Sequence, residues 1–143
     1  MSSSQAEPQP LPPEDWVAIQ QLLARYCHAI DGGDHDGWAA CFAPDGVFAI
    51  GGGRELAGRA QLAAFAREIG AGERLRHWPG PPVVRAFDGL TATVEAYQLT
   101  LALPADGRGQ ATIRRVATPR SQLVKRDGRW WIARREARVH AEL

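Results

Sequence analysis

From Glu14 onward the apolar residues Trp16, Ile19, Leu22, Leu23, Tyr26 and Ile30 recur every three or four positions, the period of one buried face on an amphipathic helix. The pattern predicts a helix that ends near Asp31, before Gly32 and Gly33. Asp34 can cap a second, short helix carrying Trp38, Cys41 and Phe42. Pro44-Asp45-Gly46 then predicts a turn into a strand over 47–50, and the three glycines 51–53 close a hairpin. Helical periodicity returns over 59–69 through Leu62, Phe65, Ala66 and Ile69, and Gly70 and Gly72 stop it.

Beyond residue 80 the period changes to strand-like runs, over 83–87, 91–103, 110–126 and 129–140. Asp88-Gly89, Asp106-Gly107 and Asp127-Gly128 separate them, each a hairpin signal. Strands much longer than the usual five or six residues bend or twist, which predicts a sheet curled around the helices with a pocket on its concave face. Helices first and antiparallel strands afterwards make an α+β fold. Pro119, inside one of the long runs, must interrupt its ladder as a bulge or an edge. Residues 1–13, rich in Ser, Gln and Pro, predict a disordered leader, which leaves one domain over 14–143.

Charge narrows the partners. Lys plus Arg number 17 against 16 Asp plus Glu, so a net +1 supplies no field for nucleic acid or an anionic membrane. No apolar run approaches the roughly 20 residues that span a bilayer, and the first residues lack the basic start and apolar stretch of a signal peptide, so the expectation is a cytoplasmic protein. Cys27 and Cys41 sit in apolar helical patterns, which predicts free, buried thiols.

The segment RYCHAIDGGDHDGWAACFAPDGVF, residues 25–48, resembles the first helix and following strand of SnoaL-like proteins of the nuclear-transport-factor-2-like superfamily, in its order of Tyr, Asp, Asp, Phe and Asp. RHWPGPPVV, residues 76–84, resembles the family's loop with a histidine just before the central sheet, and KRDGRWWIARRE resembles its closing hairpin. The resemblance implies a cone-shaped roll: a curved, mostly antiparallel sheet wrapped by about three N-terminal helices. It implies too a homodimer or homotrimer formed through the exposed sheet face. The family holds ketosteroid isomerases, dehydratases, a dehydrochlorinase, polyketide cyclases and small subunits of ring-hydroxylating dioxygenases, so the fold does not fix the reaction.

In the dehydratase-like branch an aspartate at the end of the first helix orients a histidine that moves a proton, and Asp31 and His77 stand at the matching positions. A carboxylate that accepts one imidazole N–H fixes the tautomer and makes the other nitrogen a better base. The competing readings are a helix-end turn residue for Asp31 and an exposed loop histidine for His77. Tyr26, five residues before Asp31, is a candidate polarising donor or a plain core aromatic. Trp38, Phe42, Phe48, Phe65, Trp78 and Trp130 read as core and pocket wall and suggest an apolar ligand. Tyr97, which shares a strand face with Glu95 and Leu99, either lines the pocket or packs.

No metal is expected, because His28, His35 and His140 have no companions at ligand spacing and Asp34, His35 and Asp36 are consecutive. Arg114-Arg115 and Arg134-Arg135 read as strand pairs with one member pointing each way, mostly as solvated outer charge. Departures from the family pattern are Pro81 where some members carry Asn, Pro119 where others carry Tyr, and Ile50 where the bile-acid dehydratase branch places Tyr. Two functions follow. One is a cofactor-free dehydratase, isomerase or cyclase acting on a small, largely apolar ring compound through Asp31 and His77, with Tyr26 assisting. The other is a module that binds a hydrophobic ligand or docks a partner without catalysis.

Overall fold

The computed structural model describes residues 9–70 and 74–142. The helical stripe forms α1 (Pro13–Asp31), whose N1 proline suits a first turn that needs no backbone donor there. Helix α2 (His35–Ala39) is capped as expected, the Asp34 carboxylate accepting from the Gly37 N–H at 3.0 Å. Helix α3 (Arg59–Gly70) follows a hairpin of β1 (Phe42–Gly51) and β2 (Arg54–Ala57). The first helix begins one residue before the predicted start, and Leu11 packs against the core; of the predicted leader, residues 1–8 lie outside the described residues.

Pro44-Asp45-Gly46 does not precede the strand. It is a bulge within β1, where the pairing register with a later strand shifts between Phe42 and Val47. Gly46 is required there, because a Cβ would lie 2.8 Å from the Phe42 Cβ and 2.9 Å from the Ile132 carbonyl oxygen.

The remaining strands are β3 (Arg74–Pro79), β4 (Val83–Phe87), β5 (Thr91–Glu95), β6 (Gln98–Leu103), β7 (Thr112–Ala117), β8 (Arg120–Arg126), β9 (Arg129–Glu136) and β10 (Val139–Glu142). Each of the three long runs is thus two strands. The breaks fall at Ala96-Tyr97, Thr118-Pro119 and Ala137-Arg138, where the chain passes between a six-stranded sheet, β2-β1-β9-β8-β5-β4, and a four-stranded one, β10-β7-β6-β3. Cross-links such as Thr118 N–H to the Arg138 carbonyl at 3.1 Å continue the hydrogen bonding through the bend. The pairing is antiparallel except between β1 and β9. The α+β roll of the sequence analysis is therefore present, its curvature located at three two-residue breaks.

The core lies between the six-stranded sheet and the helices, built on Ile19, Leu22, Trp38, Phe42, Leu62, Leu123 and Ile132. Buried Asp15 fastens α1 to this sheet: its carboxylate accepts from Trp130 Nε1 and from Lys125 Nζ, each at 2.9 Å. No described helix is long and apolar enough to cross a membrane.

Cys27 and Cys41 are free and buried. Burial pushes the Cys27 thiol up to about 11 and raises that of Cys41 as well. Both are therefore expected to resist a disulfide-exchange reagent at about pH 8 in the native protein and to react fully once it is unfolded. Stoichiometric reaction of the native fold would contradict this placement.

Candidate functional site

Asp31 is the last residue of α1, at the end where the helix dipole disfavours a carboxylate by about 0.3–1 kcal/mol. The helix stops beside it because Gly32 and Gly33 follow, Gly33 with a left-handed φ of 77°. A carboxylate so placed gains from donors brought by another part of the chain. These come from β3: the Asp31 Oδ2 accepts the His77 backbone N–H at 2.8 Å, and Oδ1 lies 2.6 Å from His77 Nδ1. Both side chains are nearly enclosed, 11% and 13% exposed.

The segment of His77, expected as a loop, is a strand. Leu75, His77 and Pro79 alternate inward from β3 while Arg74, Arg76 and Trp78 face outward, and His77 pairs with Thr100 of β6. His77 reaches a cavity of about 290 Å³ between the concave sheet face and the helices, whose apolar wall includes Trp38, Phe48, Ile50, Phe65 and Leu75. Asp31 lies behind the histidine, in a shallower outer groove of about 640 Å³ between α1 and β3.

Of the other predicted residues, Tyr26, Trp38, Phe48 and Phe65 line this cavity. Tyr26 is packed between Trp38 and Phe42, ring centroids 5.5 and 6.0 Å away. Burial raises its phenol above the ordinary range, against the pull of the Arg135 charge. Three expectations for the pocket wall need correction. Phe42 is wholly buried in the core behind the cavity. Trp78 is 68% exposed, because strand alternation turns the neighbour of an inward His77 to the outside. Tyr97 is 79% exposed, because the strand that would have carried it inward breaks at Ala96-Tyr97 and restarts with Gln98 facing the cavity.

Sequence reading also missed Arg135. It is only 6% exposed and lines the cavity, donating to Ser121 Oγ at 2.9 Å and Gln98 Oε1 at 3.0 Å, with its guanidinium 4.4 Å from the Tyr26 ring centre. Arg134 faces outward to Glu55. Strict alternation from Trp130 and Ile132 would have placed Arg134 inside. The β8–β9 register instead shifts by one residue between Gln122 and Leu123, so Ala133 is an extra residue and the parity reverses. Arg115 likewise lines the cavity, paired with Glu142 at 2.9 Å. Among the described residues no group of three or more His, Cys, Asp or Glu side chains could hold a metal ion.

The sequence model of the SnoaL-like domain matches residues 13–136. No curated protein matches the chain. Solved structures do. Rv3472 from Mycobacterium tuberculosis, described as of unknown function, superposes with a TM-score of 0.80 at 31% identity, over 94% of this chain and 80% of that one. Aln2 from a Streptomyces species gives 0.82 at 28% identity, over 92% and 94%. An NTF2-like protein with a cystatin-like fold from Novosphingobium aromaticivorans gives 0.75 at 29% identity, over 86% and 80%.

Proposed function

The chain belongs to the SnoaL-like domain family, and we propose that it is a cofactor-independent acid/base enzyme, a dehydratase, isomerase or cyclase, acting on a small, largely apolar ring compound. The supporting observation is the two-point grip of Asp31 on His77 at the edge of an aromatic-walled cavity. A carboxylate can only accept, so the proton of a neutral His77 resides on Nδ1 and Nε2 keeps a free lone pair. That nitrogen takes a proton from carbon or oxygen of the bound ring and returns it to the leaving or neighbouring atom. Asp31 holds the imidazole and offsets the charge it gains. Buried Tyr26 stays protonated and serves as a donor to a substrate oxygen. The aromatic wall excludes water and shapes the ring.

The test is a panel of hydroxylated and ketonic ring compounds incubated with the protein in deuterium oxide and followed by NMR. Elimination or deuterium incorporation is expected with the native chain and not with His77→Gln. Compounds that bind yet remain unchanged would replace the enzyme with a ligand-binding module.

A homodimer or homotrimer is part of the proposal. Its support is the outer face of the four-stranded sheet, where Trp78, Leu99 and Ile113 are exposed on β3, β6 and β7, Trp78 pairing with Leu99. In sedimentation, Trp78→Ala is expected to shift the protein toward monomer; a native chain already monomeric at micromolar concentration would remove this part.

A further inference from the structure

Proton transfer at Asp31 and His77 leaves several polar groups of the cavity without a task. The indole Nε1 of Trp38 is buried and has no hydrogen-bond partner among the described residues, in a residue only 1% exposed. It is near enough to the Tyr26 hydroxyl to draw that phenol's pKa down against burial, yet the two make no hydrogen bond of good geometry. Such an orphaned donor costs about 1–3 kcal/mol unless something arrives to accept from it. The guanidinium of Arg135 is buried too. It donates to two neutral oxygens, and among the described residues no carboxylate lies within 4.0 Å of it. A buried cation without a counter-ion is costly, and a bound anion relieves that cost. The one carboxylate among the described residues lining the cavity, Glu142, is already held by Arg115 and is half-exposed at the rim. Among the described residues that line the cavity, two arginines stand against one glutamate, while the Asp31 carboxylate lies behind His77, held by the two groups of that residue.

The donors are also close to one another. Tyr26 lies under Arg135 at 4.4 Å and against Trp38 at 5.5 Å, so both flank one phenol, whose own O–H is a third donor. The volume, about 290 Å³, is that of roughly ten waters at 30 Å³ each, room for a one- or two-ring ligand.

We propose that the substrate is an anionic ring compound, its apolar body against Trp38, Phe48 and Phe65 and its carboxylate or enolate oxygen received by Arg135 and Trp38 Nε1. This deepens the proposed function and rests on the same cavity being the substrate site. Charge selects the ligand here: a neutral ring of equal size fills the walls and can accept from Trp38 through a carbonyl oxygen, but leaves Arg135 without a counter-ion. An enolate formed during proton abstraction would meet the same donors, so the groups that choose the substrate also stabilise the charge that develops on it.

Calorimetric titration with 2-naphthoate and its neutral isostere 2-naphthamide, at about pH 7.5, tests the claim. The native protein is expected to bind the carboxylate at least about tenfold more tightly than the amide. Trp38→Phe keeps an aromatic, though smaller, side chain and removes the donor, and Arg135→Gln removes the charge. Arg135→Gln is expected to weaken naphthoate about tenfold and to leave naphthamide little changed; Trp38→Phe is expected to weaken both, naphthoate the more, because a carboxylate oxygen is a stronger acceptor than an amide oxygen. Circular dichroism shows whether the variants fold; if Arg135→Gln does not, a larger loss of naphthoate than of naphthamide binding in Trp38→Phe decides the matter, and equal losses overturn the inference. Equal or tighter binding of naphthamide overturns the inference, as does the absence of saturable naphthoate binding up to about 1 mM. The native chain separates the two ideas: naphthoate preference with no turnover of any compound in the panel overturns the catalytic reading alone, and turnover without preference overturns the anionic substrate alone.

Discussion

Replacing Asp31 with asparagine is expected to move the proton of His77 from Nδ1 to Nε2 and to cut turnover of a responsive ring compound by about 10²–10⁴-fold, with little change in substrate binding. The reason lies in the two bonds that Asp31 accepts. The backbone N–H of His77, 2.8 Å from Oδ2, can only donate, so the amide oxygen of an asparagine must take that position. Its NH₂ group then faces Nδ1, where Oδ1 stood at 2.6 Å, and donates to it. Nδ1 becomes an acceptor and the ring proton goes to Nε2, the nitrogen that has to receive one. Nitrogen-15 spectra of labelled histidine read the tautomer directly, and kcat against KM reads the consequence. An unchanged tautomer, or full activity in Asp31→Asn, would sink the dyad as the proton carrier; His77→Gln is expected to be at least as damaging.

The largest stability effect outside the apolar core is expected at Asp15. Asp15→Ala strands Trp130 Nε1 in a buried environment and leaves Lys125 without its counter-charge, which together should cost about 2–3 kcal/mol, or roughly 6–12 °C in Tm. Burial alone would raise the pKa of this carboxyl; the hydrogen bonds from Trp130 and Lys125 outweigh it and hold the carboxyl below its ordinary value of 3.8. A depressed folded-state pKa contributes stability that is present above 3.8 and lost as pH falls through the folded value. The difference in stability between native protein and Asp15→Ala should therefore be full near neutrality and shrink below about pH 3.8. Denaturant titrations across that range measure it. A difference that does not change with pH would mean that packing, and not the charge, holds α1 to the sheet.

These residues differ in how far the sequence announced them. Asp15 gave no signal beyond an acidic residue in a helix's first turn, because its partners stand more than a hundred residues away. Asp31 and His77 were visible only through resemblance to a family; nothing in their spacing of 46 residues says that they meet. Trp38, Phe48 and Phe65 were found by size and periodicity, and the same reasoning misplaced Phe42, Trp78 and Tyr97, since an aromatic of given period can face core, cavity or solvent.

By itself the sequence determined the three helices, the capped turn at Asp34, the hairpin turns and the order of helices before strands, because each depends on local periodicity and on residues such as Asp and Gly whose backbone preferences act within a few positions. Tertiary structure alone decided where the long strands break and which face each half presents. An extra residue at Ala133 puts Arg135 inside and Arg134 outside, and the break before Gln98 turns Tyr97 out. Side chains in a strand repeat every two residues, so a single inserted residue reverses every later assignment, and whether it is inserted is settled by the partner strand across the ladder.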